Sequence, residues 1–396
     1  MTGGWIQLDG VEQILPYDGW EFEQLRRELL DCLYQNGYEL VVPPLADFVE
    51  CLLGGTNDDL DVLTVKTPDY VSGKMFGIRA DMTPQVARLA ALHLPVQEQP
   101  VRLCYFGSSL LARVPSIGGS RELLQFGAEL FGSSSLESDC EIIRLMIESL
   151  RIAGIDSLSV SLGHVGIIES LFEQFGYKES SLENALLDAL KRKSKPELDA
   201  LADREGLQAE AIEIFSNLIE LNGGIDILDE AENRLKSVGN NVPQLLSEFE
   251  RVVRRVAEEN NGVSLHVDFA QVGGYQYHTG VIFSAYGPGY GQPLAKGGRY
   301  DSVMAVYGTP CAATGFSGDL RLLRRAIRGE CKKAVMVPLD SNVPREQIDA
   351  LIERGDRVIH QLPDQTRASL IHTCDREFVC HAGEWRVVPL TIEGEV

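Results

Sequence analysis

LLQFGAELFG, residues 123–132, alternates in a way that decides what the chain around it must be. Successive side chains of a strand leave on opposite faces, so Gln125, Gly127, Glu129 and Phe131 share one face while Leu124, Phe126, Ala128 and Leu130 share the other. One face is continuously apolar and belongs on a core. The other carries an amide and a carboxylate. An ionised carboxylate accepts hydrogen bonds and an amide does both, a pair suited to a ligand's ammonium group. From this segment alone, a solvent-facing sheet face remains the alternative.

Two further stretches place polar residues in similar settings. RADMTPQVAR, residues 79–88, reads as a strand carrying Arg79, Asp81 and Thr83 on one face, ending before a helix that Pro84 starts. Thr83 is then either a helix cap or a binding residue. In GGYQYHTGVIF, residues 273–283, the alternation puts Tyr275, Tyr277 and Thr279 on one side and Gln276, His278 and Gly280 on the other. A lone histidine in a strand serves packing as well as binding, so His278 stays open.

The remaining chain mixes helices and strands. Phe22, Leu25, Leu29, Cys32 and Leu33 keep helical spacing up to Gly37, and YELVVPPL is a strand halted by Pro43 and Pro44. A helix over 137–154 precedes an alternating strand at Leu158, Val160 and Leu162. Residues 164–260 change character to successive short helices, which predicts a helical insertion. Strands resume at SLHVDFAQV, a final helix is expected around LRLLRRAI, and residues 329–396 read as a small C-terminal α/β domain. The expected core is therefore 1–163 together with 261–328.

Composition sets outer limits. The 396 residues are 44% hydrophobic and 24% charged, ordinary for a soluble globular chain of more than one domain. No apolar run reaches the roughly 20 residues that span a bilayer, and no signal-peptide pattern opens the chain, which predicts a cytoplasmic protein without membrane association. Eight scattered cysteines show no metal-ligand spacing and read as reduced. A net charge of −22 opposes nucleic acid, because binding phosphates requires clustered cations. Only KRKSK, residues 191–195, approaches a basic patch, and it reads as the end of a solvated helix. No phosphate loop, HExxH, GxSxG or kinase motif is present, and GPGYG, residues 287–291, reads as a loop.

Taken in order, these segments resemble class II aminoacyl-tRNA synthetases, and among them histidyl-tRNA synthetase, over about residues 8–328. GYELVVPPL is similar to the dimer-forming first motif, RLCYFGSSLLARVPSIGGSRELLQFGAELFG to the second, ATGFSGDLRLL to the third, and GGYQYHTGVIF and GGRYD to two histidine-recognition segments. The resemblance implies an α+β fold: a class II synthetase-like antiparallel sheet flanked by helices. It departs where ATP is handled. The family's second-motif, third-motif and histidine-segment arginines align with Leu111, Leu322 and Gly273, and Arg113 stands at a glutamate position. Losing one such preorganised charge costs about 10²–10³ in rate, so adenylate chemistry is not expected. The amino-acid side is kept through Asp81, Thr83, Gln125, Glu129, Tyr277, Arg299 and Tyr300.

A pocket that keeps histidine contacts and loses ATP chemistry resembles the regulatory subunits of ATP phosphoribosyltransferase, as do the YHTG of 277–280 and the short C-terminal appendix. That resemblance implies a non-catalytic chain without cofactor or metal. It further implies a homodimer core within a hetero-oligomer with the short catalytic subunit of ATP phosphoribosyltransferase, L-histidine as effector, and no tRNA. The implied histidine-binding residues are Asp81, Thr83, Arg113, Gln125, Glu129, Tyr275, Tyr277 and His278. An amino-acid-activating enzyme like histidyl-tRNA synthetase, or a scaffold with a vestigial pocket, is the alternative.

Overall fold

A computed structural model describes residues 8–54, 58–114, 119–236, 238–239, 241–275, 277–323 and 333–391. The chain divides into two compact units, Met1–Ile327 and Arg328–Val396. The first unit begins with α1 (Pro16–Gln35), β1 (Glu39–Val41), β2 (Ala46–Phe48), α2 (Val49–Leu53), α3 (Asp58–Leu63), β3 (Val65–Pro68), β4 (Met75–Ile78) and α4 (Thr83–His93). The long strands β5 (Val101–Leu110) and β6 (Glu122–Phe131), α5 (Leu136–Ile152) and β7 (Ser159–His164) follow. Next come α6 (Val165–Phe175), α7 (Glu183–Lys191), α8 (Lys195–Glu205), α9 (Ala209–Glu220), β8 (Asn222–Gly223), α10 (Ile227–Leu235) and α11 (Val242–Glu259). The unit closes with β9 (Ser264–Asp268), β10 (Val281–Tyr286), β11 (Ala295–Arg299), α12 (Ser302–Val306), β12 (Ala313–Asp319) and α13 (Leu320–Leu323).

Nine strands form one sheet in the order β1-β5-β6-β12-β11-β10-β7-β9-β8. Its centre, β5 to β7, is antiparallel throughout, while β1 joins β5 and β9 joins β7 in parallel. Alternation in β6 does what the sequence predicts: Phe126, Ala128 and Leu130 sink into the largest apolar cluster with Leu145 and Ile142 of α5. The opposite face is not solvated. Phe131 joins Tyr105, Tyr300, Met82 and Val86 in a second cluster beneath α4, so β6 is buried on both faces.

The helices of 165–259 share the first cluster with the sheet. Leu246, Phe249, Val253 and Val256 of α11 recur at helical spacing and are buried alongside Phe172 of α6 and Phe215 of α9. One helix, α10, was not expected from the sequence; its Leu228, Ala231 and Leu235 are buried in the same cluster. The KRKSK run is neutralised locally, with Arg192 on Glu197, Lys193 on Asp268 and Lys195 on Glu220. The expected helix at LRLLRRAI is described only as α13, the rest lying outside the described residues.

Two expectations about faces are corrected. Residues 273–275 and 277–280 are not a strand. Tyr277 and His278 both donate backbone N–H bonds to the Gly274 carbonyl, at 2.8 and 2.9 Å, because Gly274 at φ 75° turns the chain there. Nor does Arg79 share a wall with Asp81 and Thr83: β4 ends at Ile78, and the guanidinium bonds the carbonyls of Ser108, at 2.8 Å, and Pro43, at 2.7 Å.

The second unit holds β13 (Ala334–Val337), α14 (Arg345–Glu353), β14 (Val358–His360), α15 (Arg367–Leu370), β15 (Cys374–His381) and β16 (Glu384–Pro389). Its sheet runs β14-β13-β15-β16, with β13 parallel to both neighbours and β15–β16 a hairpin turned at Ala382 and Gly383.

Candidate functional site

Glu129 is the buried centre of the first unit's polar cluster. Its Oε1 accepts from the hydroxyls of Tyr105 and Thr83, both at 3.0 Å, and its Oε2 from Tyr300 at 2.5 Å. Burial pushes the carboxyl up to about 8; the three hydroxyls pull the other way, and the neighbouring Asp81 adds to the rise. The hydroxyls come from β5, from the first turn of α4 and from the segment after β11, so only the assembled sheet order brings them together.

Asp81 is held from behind. Its Oδ1 accepts from Gln125 Nε2 at 2.7 Å and from the Thr83 backbone N–H at 3.0 Å. Gln125 Oε1 in turn accepts from Met82 N–H and Ser109 Oγ, each at 3.0 Å. Thr83 therefore does not cap α4 through its side chain. It spends its hydroxyl on Glu129 and its N–H on Asp81.

A cavity of about 400 Å³ opens onto this cluster, lined by Asp81, Thr83, Glu129, Tyr277, His278 and Tyr300 among others. Tyr277 stacks on Tyr300 with ring centroids 5.2 Å apart, and its buried hydroxyl has no hydrogen-bond partner among the described residues. His278 packs edge-on to Tyr277 and faces the Gly274 carbonyl through Nδ1 at 3.2 Å. Burial lowers its pKa to about 4 against the pull of that carbonyl, with the Lys296 charge lowering it further, so the ring is neutral at neutral pH. Glycines clear the space: a Cβ at Gly315 would overlap the Glu129 carboxylate, and one at Gly298 would meet the His278 ring.

Of the eight residues expected at a histidine site, Asp81, Thr83, Glu129, Tyr277 and His278 line this cavity. Gln125 stands behind Asp81 rather than on the wall. Tyr275 packs against Phe172 at 5.8 Å, on the helical side. Arg113 is exposed after β5 and does not line the cavity. The sequence reading did not single out Tyr105, Ser109 or Lys296. Tyr105 has a trace in the sequence, the alternation of β5, but nothing local says which hydroxyl it meets.

The positions aligned with the synthetase arginines are also defined. Leu111 is buried, Leu322 packs against the main apolar cluster, and Gly273 lies at the cavity with no atom within 4 Å of where its Cβ would stand. Lys296 is the cation among the described lining residues, and no arginine is among them. Among the described residues, no group of three or more His, Cys, Asp or Glu is placed to hold a metal, and no helix is long and apolar enough to cross a membrane.

Comparison with known proteins matches this architecture in two pieces. Residues 10–323 match the family described as histidyl-tRNA synthetase, and residues 332–388 match the ATP phosphoribosyltransferase subunit HisZ C-terminal domain. The chain is 42% identical to the ATP phosphoribosyltransferase regulatory subunit of Alkalilimnicola ehrlichii, over 98% of this chain and 97% of that one. It is 40% identical to the same-named protein of Pseudomonas aeruginosa over 98% of both. Among solved structures, an ATP phosphoribosyltransferase regulatory subunit/histidyl-tRNA synthetase from Bacillus halodurans C superposes with a TM-score of 0.80 at 26% identity, covering 91% of this chain and 94% of that one. Histidyl-tRNA synthetase from Nostoc sp. PCC 7120, at 17% identity and a TM-score of 0.79 over 98% of this chain and 97% of that one, shares the fold. The chain belongs to the ATP phosphoribosyltransferase regulatory subunit family, built on a histidyl-tRNA synthetase-like core with the short C-terminal domain of that family.

Proposed function

We propose that this chain is a non-catalytic regulatory subunit that activates a separate, short ATP phosphoribosyltransferase catalytic chain and transmits feedback by L-histidine. The partner condenses ATP with phosphoribosyl pyrophosphate in the cytoplasm, the first step of histidine biosynthesis. The observation that carries the reading is the chemistry of the cavity: two acidic side chains, Glu129 and Asp81, face one lysine, with no arginine on the described wall. Such a wall suits a small basic amino acid. It does not suit a triphosphate, whose developing charge needs several fixed cations.

In this reading Asp81 takes one cationic nitrogen of the ligand, and Glu129, protonated in the empty site at neutral pH, gives up its proton to take another. Gln125 and Thr83 hold those carboxylates in place, and Tyr277 with neutral His278 closes around the ring. Arg113 and Tyr275 are outside the proposal because neither lines the cavity. The leucines at 111 and 322 support the loss of adenylate chemistry, since Leu111 is buried, Leu322 packs against the main apolar cluster, and neither leaves a charge at its position. A homodimer core is proposed through the free edge of β1, where Leu40 and Val42 are exposed. No role for tRNA is proposed, given the charge of −22.

Feedback requires histidine to favour one assembly state over another, and coupling of roughly 1–3 kcal/mol is the usual scale. The test mixes this chain with its short catalytic partner and titrates histidine. Activity should rise on mixing and fall with histidine. Absence of both effects overturns the reading, and so does clear histidine-dependent exchange of pyrophosphate into ATP by this chain alone.

A further inference from the structure

The cavity holds a second polar row that the histidine contacts do not use. Sheet register places Ser284 of β10 opposite Lys296 of β11, and Lys296 opposite Ser317 of β12. Residues opposite one another in register project on the same face, so the three make a hydroxyl, ammonium, hydroxyl row, and all three line the cavity. Ser161 extends the row on β7, opposite Ser284, and donates to Gln271 Oε1 at 3.3 Å.

This row runs parallel to the one that ends in Glu129. Glu129 is opposite Gly315, and Gly315 opposite Gly298; Ser317 and Lys296 lie two residues along on those same strands. Two residues of strand separate the rows by about 7 Å and return to the same face. The His278 ring lies over Gly298 of the Glu129 row. Lys296 is exposed, and its ammonium has no hydrogen-bond or ion-pair partner among the described residues. The cavity is thus acidic at one end and cationic at the other, which is the charge pattern of an amino-acid zwitterion with a basic side chain.

We infer that Lys296, flanked by Ser284 and Ser317, is the carboxylate subsite of this cavity. Three ammonium donors and two hydroxyls satisfy a carboxylate without the planar fork of an arginine. The inference rests on the histidine reading of the same site. It adds the residue that distinguishes an amino acid from its decarboxylated amine.

Calorimetry on the full chain tests it with L-histidine and with histamine, which keeps the ring and amine and lacks the carboxylate. Lys296→Met, at an exposed position, should weaken histidine about 10- to 100-fold and change histamine less than about threefold. Ser317→Ala should give a smaller loss of the same selectivity. Unchanged histidine affinity in Lys296→Met overturns the inference alone, and so do equal losses for both ligands. Loss of inorganic pyrophosphate binding with histidine unchanged also overturns it, assigning the row to phosphate. Failure of the unsubstituted chain to bind histidine sinks the histidine reading and this inference together.

Discussion

Gly315 of β12 stands directly opposite Glu129 of β6, and any side chain at 315 would overlap the carboxylate that three hydroxyls hold. The glycine therefore shapes the proposed histidine site although it has no side chain. Gly315→Ala should push Glu129 out of reach of Tyr300 and Thr83. Overpacking of this kind costs about 1–3 kcal/mol of stability. Histidine affinity measured by calorimetry should fall at least about tenfold, while the circular dichroism spectrum stays that of a folded chain. Unchanged affinity would show that Glu129 is not a ligand contact.

Tyr105 offers a more conservative probe of the same cluster. Its hydroxyl lies 3.1 Å from Thr83 Oγ1 and donates to Glu129 Oε1 at 3.0 Å, while its ring packs beside Met82 and Val86. Tyr105→Phe keeps the ring and removes one bond to the protonated Glu129 carboxyl, worth about 0.5–1.5 kcal/mol. A loss of about tenfold in histidine affinity is expected, with thermal stability lowered by only a few degrees.

The sequence makes the alternation of β6 legible, and with it the common face of Gln125 and Glu129, because strand periodicity is a local property. What Gln125 does on that face is not local. It turns to Asp81, Met82 and Ser109, and the strand order that brings β12 and β11 beside β6 skips across the chain. For the same reason the convergence of Tyr105 and Tyr300 on Glu129 cannot be read from either segment. Aromatic alternation continues through the turn at Gly273–Gly274 and imitates a strand, and the positive φ of Gly274 outweighs that pattern. Helix α10 has correct spacing at Leu228, Ala231 and Leu235 but few apolar residues to announce it.

Titration gives a third prediction. Burial raises the Glu129 carboxyl to about 8, above its ordinary 4.5, so the folded chain holds a proton there that the unfolded chain has released. Its stabilising contribution is full below about 4.5 and is lost as pH rises through about 8. His164 and His278, both lowered to about 4 by burial, act oppositely, adding stability as pH rises from about 4 to 6.5. The window from 6.5 to 8 therefore isolates Glu129 from these two. Across it, the unsubstituted first unit should lose up to about 2 kcal/mol relative to Glu129→Gln, read from urea midpoints at the two pH values. Parallel pH dependence in the two proteins would rule out a proton on Glu129.

Gly273 gives the last. It is exposed, its φ lies outside the left-handed region, and nothing stands within 4 Å of an added Cβ, so Gly273→Arg fits without moving a neighbour. Stability should change by less than about 0.5 kcal/mol, as for surface substitutions away from special features. A guanidinium at the cavity adds a second cation to its lining, and histidine binding should tighten by about three- to tenfold. Pyrophosphate exchange should nonetheless stay at background. Leu111 and Leu322 remain apolar and packed, and groups that act on one transition state as a unit do not regain it one at a time. Tighter histidine without exchange is the outcome expected of a sensor; exchange restored by this single arginine would mean that the chain's ATP chemistry is only one residue away.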